Sequence, residues 1–542
     1  MKMNKYILNA MLGATLVAFT GCNDFLDKSP DSRIELDTPE KITKLLVSGY
    51  SDQNYAALNE LSADNFIDNN SPDENGVYYN LSSFERMHDE IFAWQDAVSS
   101  TDTDSPSAVW SGSYYAIAVA NEALQAIEKF EEQGRASEVS AQKGEALLIR
   151  AYHHFILVNE FSQAYRNDEL SKNDSGVPYI TKPETKVLVK YSRSTVTETY
   201  NKIEKDLLAG INLIRDGGYS IPKYHFNSQA ANAFAARFYL FKREYEKVVE
   251  YASKVLGNNA ADYMRDWNAD YPTYSEFAYG WISATSANNF LLMPTNSTFN
   301  RIFGTRYGCN REASKATIYG KGPTWQSYNF APCYSGRLYI RGSQDYGLFF
   351  PKIGEFFEYT DKIAGIGFPH IVRAEFTGEE TLLCRAEAYV YLNRIADAVA
   401  DLKTFDDSRK ISDTNYPDLT EALIRSFYKS TNTLFVSTFN TTSMSPDFIV
   451  TDSQKPILDC VLHFRRLETI FDGLRWFDLK RYGIEITHKI GKNTDILKWN
   501  DPRRALQIPA EVIAAGISPN NRKVSTDDAE IVKASAPLQI KN

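Results

Sequence analysis

The sequence predicts an α-class protein in which helical hairpins form a scaffold and a large irregular, loop-rich lobe is inserted between repeats. Three observations predict it. Apolar residues recur at helical spacing over long stretches on both sides of the middle of the chain. One small-residue helical segment recurs at a shift of 150 residues. Between the two copies, residues 257–375 are rich in Gly, Pro, Asn, Ser, Tyr and Trp and carry little periodicity.

Thr38-Pro39-Glu40 opens the first amphipathic stretch, which continues through Leu45, Leu46 and Tyr50. Residues 68–80 and 99–107 are dense in Asn, Asp, Ser and Pro and read as loops. From Val109 the pattern is helical, and 111–161 reads as a pair whose second member, about 141–161, runs through Leu147, Leu148, Ala151, Phe155 and Val158. The clearest helix is 196–214. Its apolar positions Val196, Tyr200, Ile203, Leu207, Ile211 and Ile214 make one stripe on a ~3.6-residue period. Thr195 and Glu198 form a capping-box pattern at its start, and Asp216-Gly217-Gly218 ends it.

Residues 229–256 begin with Ala230, Ala231, Ala233, Ala235 and Ala236, turn at Arg243-Glu244, and continue through Tyr245, Val248, Val249 and Ala252. Residues 385–402 repeat this: Ala236 matches Ala386, Tyr239 matches Tyr389, Tyr245 matches Ile395 and Val249 matches Val399. Each copy is a small-residue helix, a tight polar turn and a second amphipathic helix. The pattern resembles the tetratricopeptide hairpin, in which an alanine lets paired helices approach closely. Such hairpins must stack on neighbours to bury their faces. A structureless 257–375 is improbable inside a compact domain, so it is expected to fold as a lobe on this scaffold.

The N-terminus reads as an export signal. Lys2 and Lys5 precede a short apolar run, Ile7 to Phe19, and the small residues Thr20 and Gly21 precede Cys22. That run is short for a spanning helix, which needs about 20 apolar residues. It resembles the lipobox of bacterial lipoproteins, in which the cysteine receives lipid; Cys22 is the expected lipidation site. Removing residues 1–21 leaves 521 of the 542 residues and, with Lys2 and Lys5 gone, takes the formal charge from −10 to −12. No basic stripe is present, which argues against a nucleic-acid partner. The expected divisions are a lipoprotein signal at 1–21, lipidated cysteine and tether at 22–38, helical regions at 39–256 and 376–542, and the irregular lobe at 257–375. Four later cysteines, Cys309, Cys333, Cys384 and Cys460, are too few for a disulfide framework. Cys309 and Cys333 share the lobe and offer one pairing; Cys384 reads as a buried small hydrophobe.

Residues 465–483, Arg-Arg-Leu-Glu-Thr-Ile-Phe-Asp-Gly-Leu-Arg-Trp-Phe-Asp-Leu-Lys-Arg-Tyr-Gly, resemble the near-C-terminal hallmark of the SusD/RagB family of outer-membrane lipoproteins. Other pieces follow in the family's order. They are Cys22-Asn-Asp-Phe-Leu-Asp27, Glu145 to Phe155, Ser192-Arg-Ser-Thr-Val196 and Leu506-Gln-Ile-Pro-Ala-Glu-Val512. The stretch Arg373 to Ala388 departs from the family's more direct run into Ala-Glu-Ala. The resemblance implies a binding protein without catalytic activity. It would sit lipid-anchored on the outer face of the outer membrane, capturing oligosaccharide, or occasionally peptide, for a SusC-like TonB-dependent transporter.

A non-catalytic sugar site wants aromatic platforms flanked by polar side chains. Two regions supply both: Asp64-Asn65 with the loop Asp68–Asn75, and the lobe with Trp267, Tyr274, Trp281, Tyr319, Trp325, Tyr328 and Tyr334. The candidate glycan-binding residues are Asp64, Asn65, Trp281, Trp325 and Tyr334, each aromatic weighed against burial in the lobe's own core. Trp110 and Trp476 lie on helical patterns and read as core. No cofactor is expected. Asp68, Asn70 and Asp73 offer oxygen ligands suited to Ca²⁺, but Gly76 falls too late for an EF-hand, and a solvated acidic loop is the stronger reading.

No Gly-x-Ser-x-Gly elbow, His-Glu-x-x-His or P-loop occurs, and His153-His154 diverge on a helix. Glu468 and Asp472, one helical turn apart, cannot flank a sugar, and pairing with Arg465, Arg466 and Arg475 explains them better. A surface glycoside hydrolase and a peptide-capturing relative remain the alternatives.

Overall fold

The computed structural model of the chain describes residues 35–73, 75–97, 100–184, 190–266, 273–315, 317–325, 338–410, 415–430, 445–523, 532–533 and 539–540. Cys22, the signal and most of the tether lie outside these residues, as do Trp267, Tyr328, Cys333 and Tyr334.

The first half is helical. Helix α1 (Pro39–Leu46) starts where Thr38 accepts the Lys41 N–H and Pro39 presets the first turn. The short α2 (Ala56–Ser62) is wholly buried, and α3 (Arg86–Phe92) packs on it. Ser105 and Pro106 open the long α4 (Pro106–Glu132). It lies against α5 (Ser140–Phe161), whose residues from Gly144 onward are all buried. Helix α6 (Val196–Leu213) forms both halves of the Thr195–Glu198 capping box that the sequence predicts.

The packing of α5 on α6 depends on glycine. A Cβ on Gly144 would lie 2.6 Å from the Ile214 backbone nitrogen, and one on Gly210 would lie 2.7 Å from Leu148 Cγ. Nothing larger fits between these two axes.

The repeat is realised in three dimensions. Helices α7 (Ser228–Lys242) and α8 (Tyr245–Leu256) form one hairpin. After α9 (Tyr274–Trp281) in the lobe, α10 (Gly378–Tyr391) and α11 (Ile395–Asp407) form the other. The turns match atom for atom. Arg243 and Asn393 both take left-handed backbone, at φ 64° and 57°. Arg243 N–H donates to Leu240 and Glu244 N–H to Tyr239; Asn393 donates to Val390 and Arg394 to Tyr389. This hydrogen-bond pattern satisfies the last helical carbonyls. Ala236 and Ala386 are fully buried at the equivalent seams. Helix α8 packs on α10, so the two hairpins stack directly although the lobe separates them in sequence.

The lobe contains a sheet the sequence pattern does not reveal. Strands β3 (Asn289–Asn296), β7 (Glu355–Asp361) and β8 (Ile366–Thr377) pair antiparallel in the order β3-β8-β7, with Met293 opposite Arg373 and Phe357 opposite Pro369. Strand β8 runs straight into α10, where Thr377 accepts the Glu380 N–H. Phe376–Glu380 forms this strand-to-helix junction. Smaller ladders join β1 (Ile67–Asp68) to β4 (Tyr307–Gly308) and β5 (Tyr339–Ile340) to β6 (Leu348–Phe349). A two-residue β2 (Val77–Tyr78) lies in the loop after β1, and β9 (Ile486–Ile490) and β10 (Asn493–Leu497) form a C-terminal hairpin.

Helices α12 (Glu421–Ser430), α13 (Lys455–Glu468) and α14 (Leu474–Tyr482) close the body. The hallmark string builds α13 and α14, and it is an ionic core. Arg465 grips Asp478 (3.0 Å), and Arg481 pairs with Asp478 (2.9 Å) and with Glu387 of the second hairpin (2.5 Å). Arg237 of the first hairpin holds Glu375 (2.6 Å) and Glu380 (3.0 Å). Glu468 and Asp472 are ion-paired, but with Arg409 and Lys352 rather than with the hallmark arginines. Cys384 is buried, with the Arg465 guanidinium 3.2 Å from its sulfur, so its surroundings are less apolar than its helix suggests. Removing one partner from such a buried pair costs about 3–5 kcal/mol, because the other charge is left desolvated. These pairs lock the C-terminal helices onto both repeats.

Candidate functional site

The segment between α2 and β1 is fixed from 400 residues away in the chain. Asp64 receives Arg475 through two bonds of 2.8 Å and lies 3.5 Å from Arg466. Asn65 accepts from Arg466 (3.0 Å) and donates to Glu60 (3.0 Å). Burial draws the Glu60 carboxyl up to about 7. Asn65 is 1% exposed. In this arrangement Asp64 and Asn65 position the loop that follows them.

That loop, 68–79, is stitched to the lobe. Asp68 pairs with Tyr307 through β1–β4 and accepts both arms of Arg306 at 2.9 Å. The Asn69 side chain donates to the Thr305 and Tyr346 carbonyls and accepts from Asn310, each at 3.1 Å. Within the loop, Asp73 accepts the Asn75 and Val77 N–H groups at 2.8 Å, and Gly76 takes φ 76°. Asn70 is spent on Leu81, donating to its carbonyl and accepting its N–H. Asp68, Asn70 and Asp73 are therefore each engaged by protein groups. Among the described residues no group of three His, Cys, Asp or Glu is placed to hold a metal ion.

Between loop and lobe lies an open cleft of about 550 Å³. That falls within the ~300–1,000 Å³ usual for small-ligand sites. One wall is Asp68–Tyr79; the other is Asn310, Arg311, Glu312 and Asp345. Phe66, Phe92 and His488 form the floor, with Thr487 and Lys489 at the side. Tyr79 is half-buried and packs edge-on to Tyr346 with centroids 5.2 Å apart. Burial raises its phenol above the usual range, and the Asp345 charge adds to this. His488 is sandwiched between Phe92 and Trp94, at 4.1 Å from each ring. Its two nitrogens lie 2.8 and 2.7 Å from the Phe92 and Ala63 carbonyls. Burial pulls the imidazole pKa down while the two carbonyls oppose that shift. The ring thus ties the floor to the Asp64 segment.

The aromatic candidates in the lobe are differently placed. Trp281 is 3% exposed, with the Arg265 guanidinium 3.8 Å above its ring and Lys352 at 5.0 Å. It borders an enclosed void of about 20 Å³ beside Glu375 and Asp472, room for about one water. Trp325 is 7% exposed, donates to the Gly320 carbonyl (3.0 Å) and stacks on Phe464. The glycine at 322 makes room for that ring, because a Cβ there would lie 2.0 Å from it. Neither indole offers a face to solvent in this conformation. Tyr334 lies outside the described residues. The structure thus brings together the two sectors that the sequence singles out, but through Asn69, Tyr79, Asn310, Arg311 and Asp345. The Tyr78-Tyr79 pair just beyond the Asp68–Asn75 loop was the available signal.

A second depression, of about 730 Å³, lies along α4 between Tyr114, Tyr115, Pro178, Tyr191 and Val512. Its neighbouring segment 185–189 lies outside the described residues. It shares no residue with the lobe.

Residues 24–240 match the SusD-like family model described as starch-binding and associating with the outer membrane. Over those residues the chain is similar to the SusD-like family, and its helical-repeat fold is that of SusD superfamily proteins. Its fold is similar to a SusD superfamily protein from Bacteroides fragilis (17% identity, 89% of this chain and 99% of that one, TM-score 0.61). It is similar also to a putative sugar binding protein from Bacteroides vulgatus (18%, 91% and 100%, TM-score 0.60) and to a laminarin binding SusD-like protein (17%, 90% and 99%, TM-score 0.53). No curated protein matches the sequence significantly.

Proposed function

We propose that this chain is a non-catalytic glycan-binding protein of the outer membrane, lipid-anchored through Cys22 and facing the cell exterior. It captures oligosaccharide and passes it to a SusC-like TonB-dependent transporter. The observation that carries the reading is the cleft between loop 68–79 and the lobe. There a tyrosine ring, amides and carboxylates converge on a rigid scaffold. A sugar presents apolar ring faces and a rim of hydroxyls, and these groups suit both. The names of two structural neighbours, sugar binding and laminarin binding, support the same ligand class. The family description supports the membrane. Among the described residues no helix is long and apolar enough to cross a bilayer. No cofactor is needed for capture.

The test is incubation of the purified full chain with a polysaccharide panel, following both binding and product release. Binding of at least one glycan without release is expected. Release of shorter sugars would overturn the reading in favour of a surface glycoside hydrolase. Recovery of the native complex without a TonB-dependent partner would overturn the transporter assignment.

A further inference from the structure

A second built frame stands apart from the cleft, in the depression of about 730 Å³ along α4. That volume also falls within the ~300–1,000 Å³ usual for small-ligand sites. Its base is one stripe of the helix, Ser111, Tyr115, Ala118 and Glu122, each exposed and set at helical spacing. The segment 178–182 forms a wall that is pinned to α4 and α5. The Tyr114 hydroxyl donates to the Pro178 carbonyl (2.8 Å), the Asn121 amide donates to the Ile180 carbonyl (3.2 Å), and the Ile180 N–H donates to His154 (3.1 Å). Arg150, held by Asp206 at 2.7 and 2.8 Å, also donates to Asn121 (3.0 Å) and to the Thr181 carbonyl (3.3 Å). The short helix Ala510–Ala514 borders the other side at Val512.

Tyr115 is 60% exposed. Its neighbours along the stripe are the small Ser111 and Ala118, so the helix leaves the faces of its ring uncovered. The side chains of Tyr115, Glu122 and Lys182 make no hydrogen bond or ion pair with another described residue. A stripe with a single large apolar residue is not the aliphatic seam into which a partner helix packs. An open tyrosine beside an uncommitted carboxylate and ammonium matches instead the apolar ring faces and hydroxyl rim of a sugar. We infer that this groove is a second saccharide site. Tyr115 packs on a sugar ring, Glu122 accepts from its hydroxyls and Lys182 donates to its oxygens. The inference takes its ligand class from the glycan-capture reading and adds a site that shares no residue with the cleft. A polysaccharide that engages both sites is released only when both let go.

The experiment counts short oligosaccharides bound per chain, by titration calorimetry and native mass spectrometry of the purified full chain. The probes are oligosaccharides of laminarin, xyloglucan, mannan and arabinoxylan, and the best-bound series is carried forward. The unaltered chain is expected to bind two. Tyr79→Ala and Tyr115→Ala should each bind one, and the double variant none. Ala118→Arg, which fills the groove from the next turn and keeps the tyrosine, should behave as Tyr115→Ala does. Both groove positions are exposed, so melting curves should match the unaltered chain. One site that is lost in Tyr79→Ala and kept in both groove variants would overturn the second site and leave the cleft reading standing. One site that is lost in the groove variants and kept in Tyr79→Ala would uphold the groove and overturn the cleft. Binding of no probe would overturn the capture reading, and the inference with it.

Discussion

Replacing Asp64 by alanine leaves a buried guanidinium without its carboxylate. Arg475 places two nitrogens at 2.8 Å from Asp64, and its side chain is 3% exposed. Arg466 is less dependent, because it keeps the Asn65 side chain (3.0 Å) and the Asp64 backbone carbonyl (2.8 Å) after the substitution. Breaking a buried pair from one side costs about 3–5 kcal/mol, and the retained partners of Arg466 place Asp64→Ala near the lower end, about 3 kcal/mol. The assay is urea unfolding of the full chain without ligand. A double variant, Asp64→Ala with Arg475→Met, removes the guanidinium as well and should recover part of the loss. A loss below about 1 kcal/mol in the single variant would refute the reasoning, since exposed pairs are worth no more than that. The Asp64 carboxylate would then be free to face a ligand, as the sequence alone suggests.

Three further outcomes follow from the packing, the buried charge and the cleft. Gly144→Ala should destabilise by about 1–3 kcal/mol in thermal or chemical unfolding, although alanine is the better helix former by about 1 kcal/mol. The cause is the Ile214 backbone 2.6 Å from the new Cβ, and a neutral or stabilising result would contradict the close α5–α6 contact. Asp104 is buried, with Oδ2 accepting from Thr298 and Oδ1 unpartnered among the described residues, and burial lifts its carboxyl from 3.8 to about 7. Its folded pKa exceeds its unfolded one, so its contribution is full below the unfolded value and is lost as pH rises through the folded value. Asp104→Asn removes that loss and should gain about 2–3 kcal/mol on the unaltered chain between about pH 5 and pH 8. A pH-independent difference would refute it. Tyr79→Ala should weaken glycan binding about ten-fold in calorimetry while leaving the melting temperature nearly unchanged, since the ring is half-buried at the cleft.

The scaffold was legible because its signals are local. The capping box at Thr195 and Glu198, the alanines at 236 and 386 and the tight turns 150 residues apart all act within a few residues of chain, and each forms as expected. The sheet β3-β8-β7 was not legible. Its pairing joins Asn289–Asn296 to Ile366–Thr377, and neither strand alternates cleanly, because both faces of β3 are largely buried. The site was half legible. The two sectors do meet at one cleft. Which side chains reach it depends on partners remote in sequence: Arg475 claims Asp64, Arg466 claims Asn65, and Arg265 covers Trp281. An aromatic-rich lobe spends its tryptophans on its own core first, and residue type alone cannot show which ring is left at the surface. The hallmark string from Arg465 to Gly483 has the same lesson. It carries a resemblance, yet its charges hold helices together and are not at the cleft.

The central claim is capture of a glycan, without cleavage, in the cleft walled by loop 68–79. The direct measurement is calorimetric titration of the purified full chain and its Tyr79→Ala variant with the best-bound polysaccharide, with chromatography of the ligand afterwards. The account predicts saturable binding by the unaltered chain, about ten-fold weaker binding by the variant, and polysaccharide recovered at its original length. Equal binding by the two proteins, or shortened ligand, would contradict it.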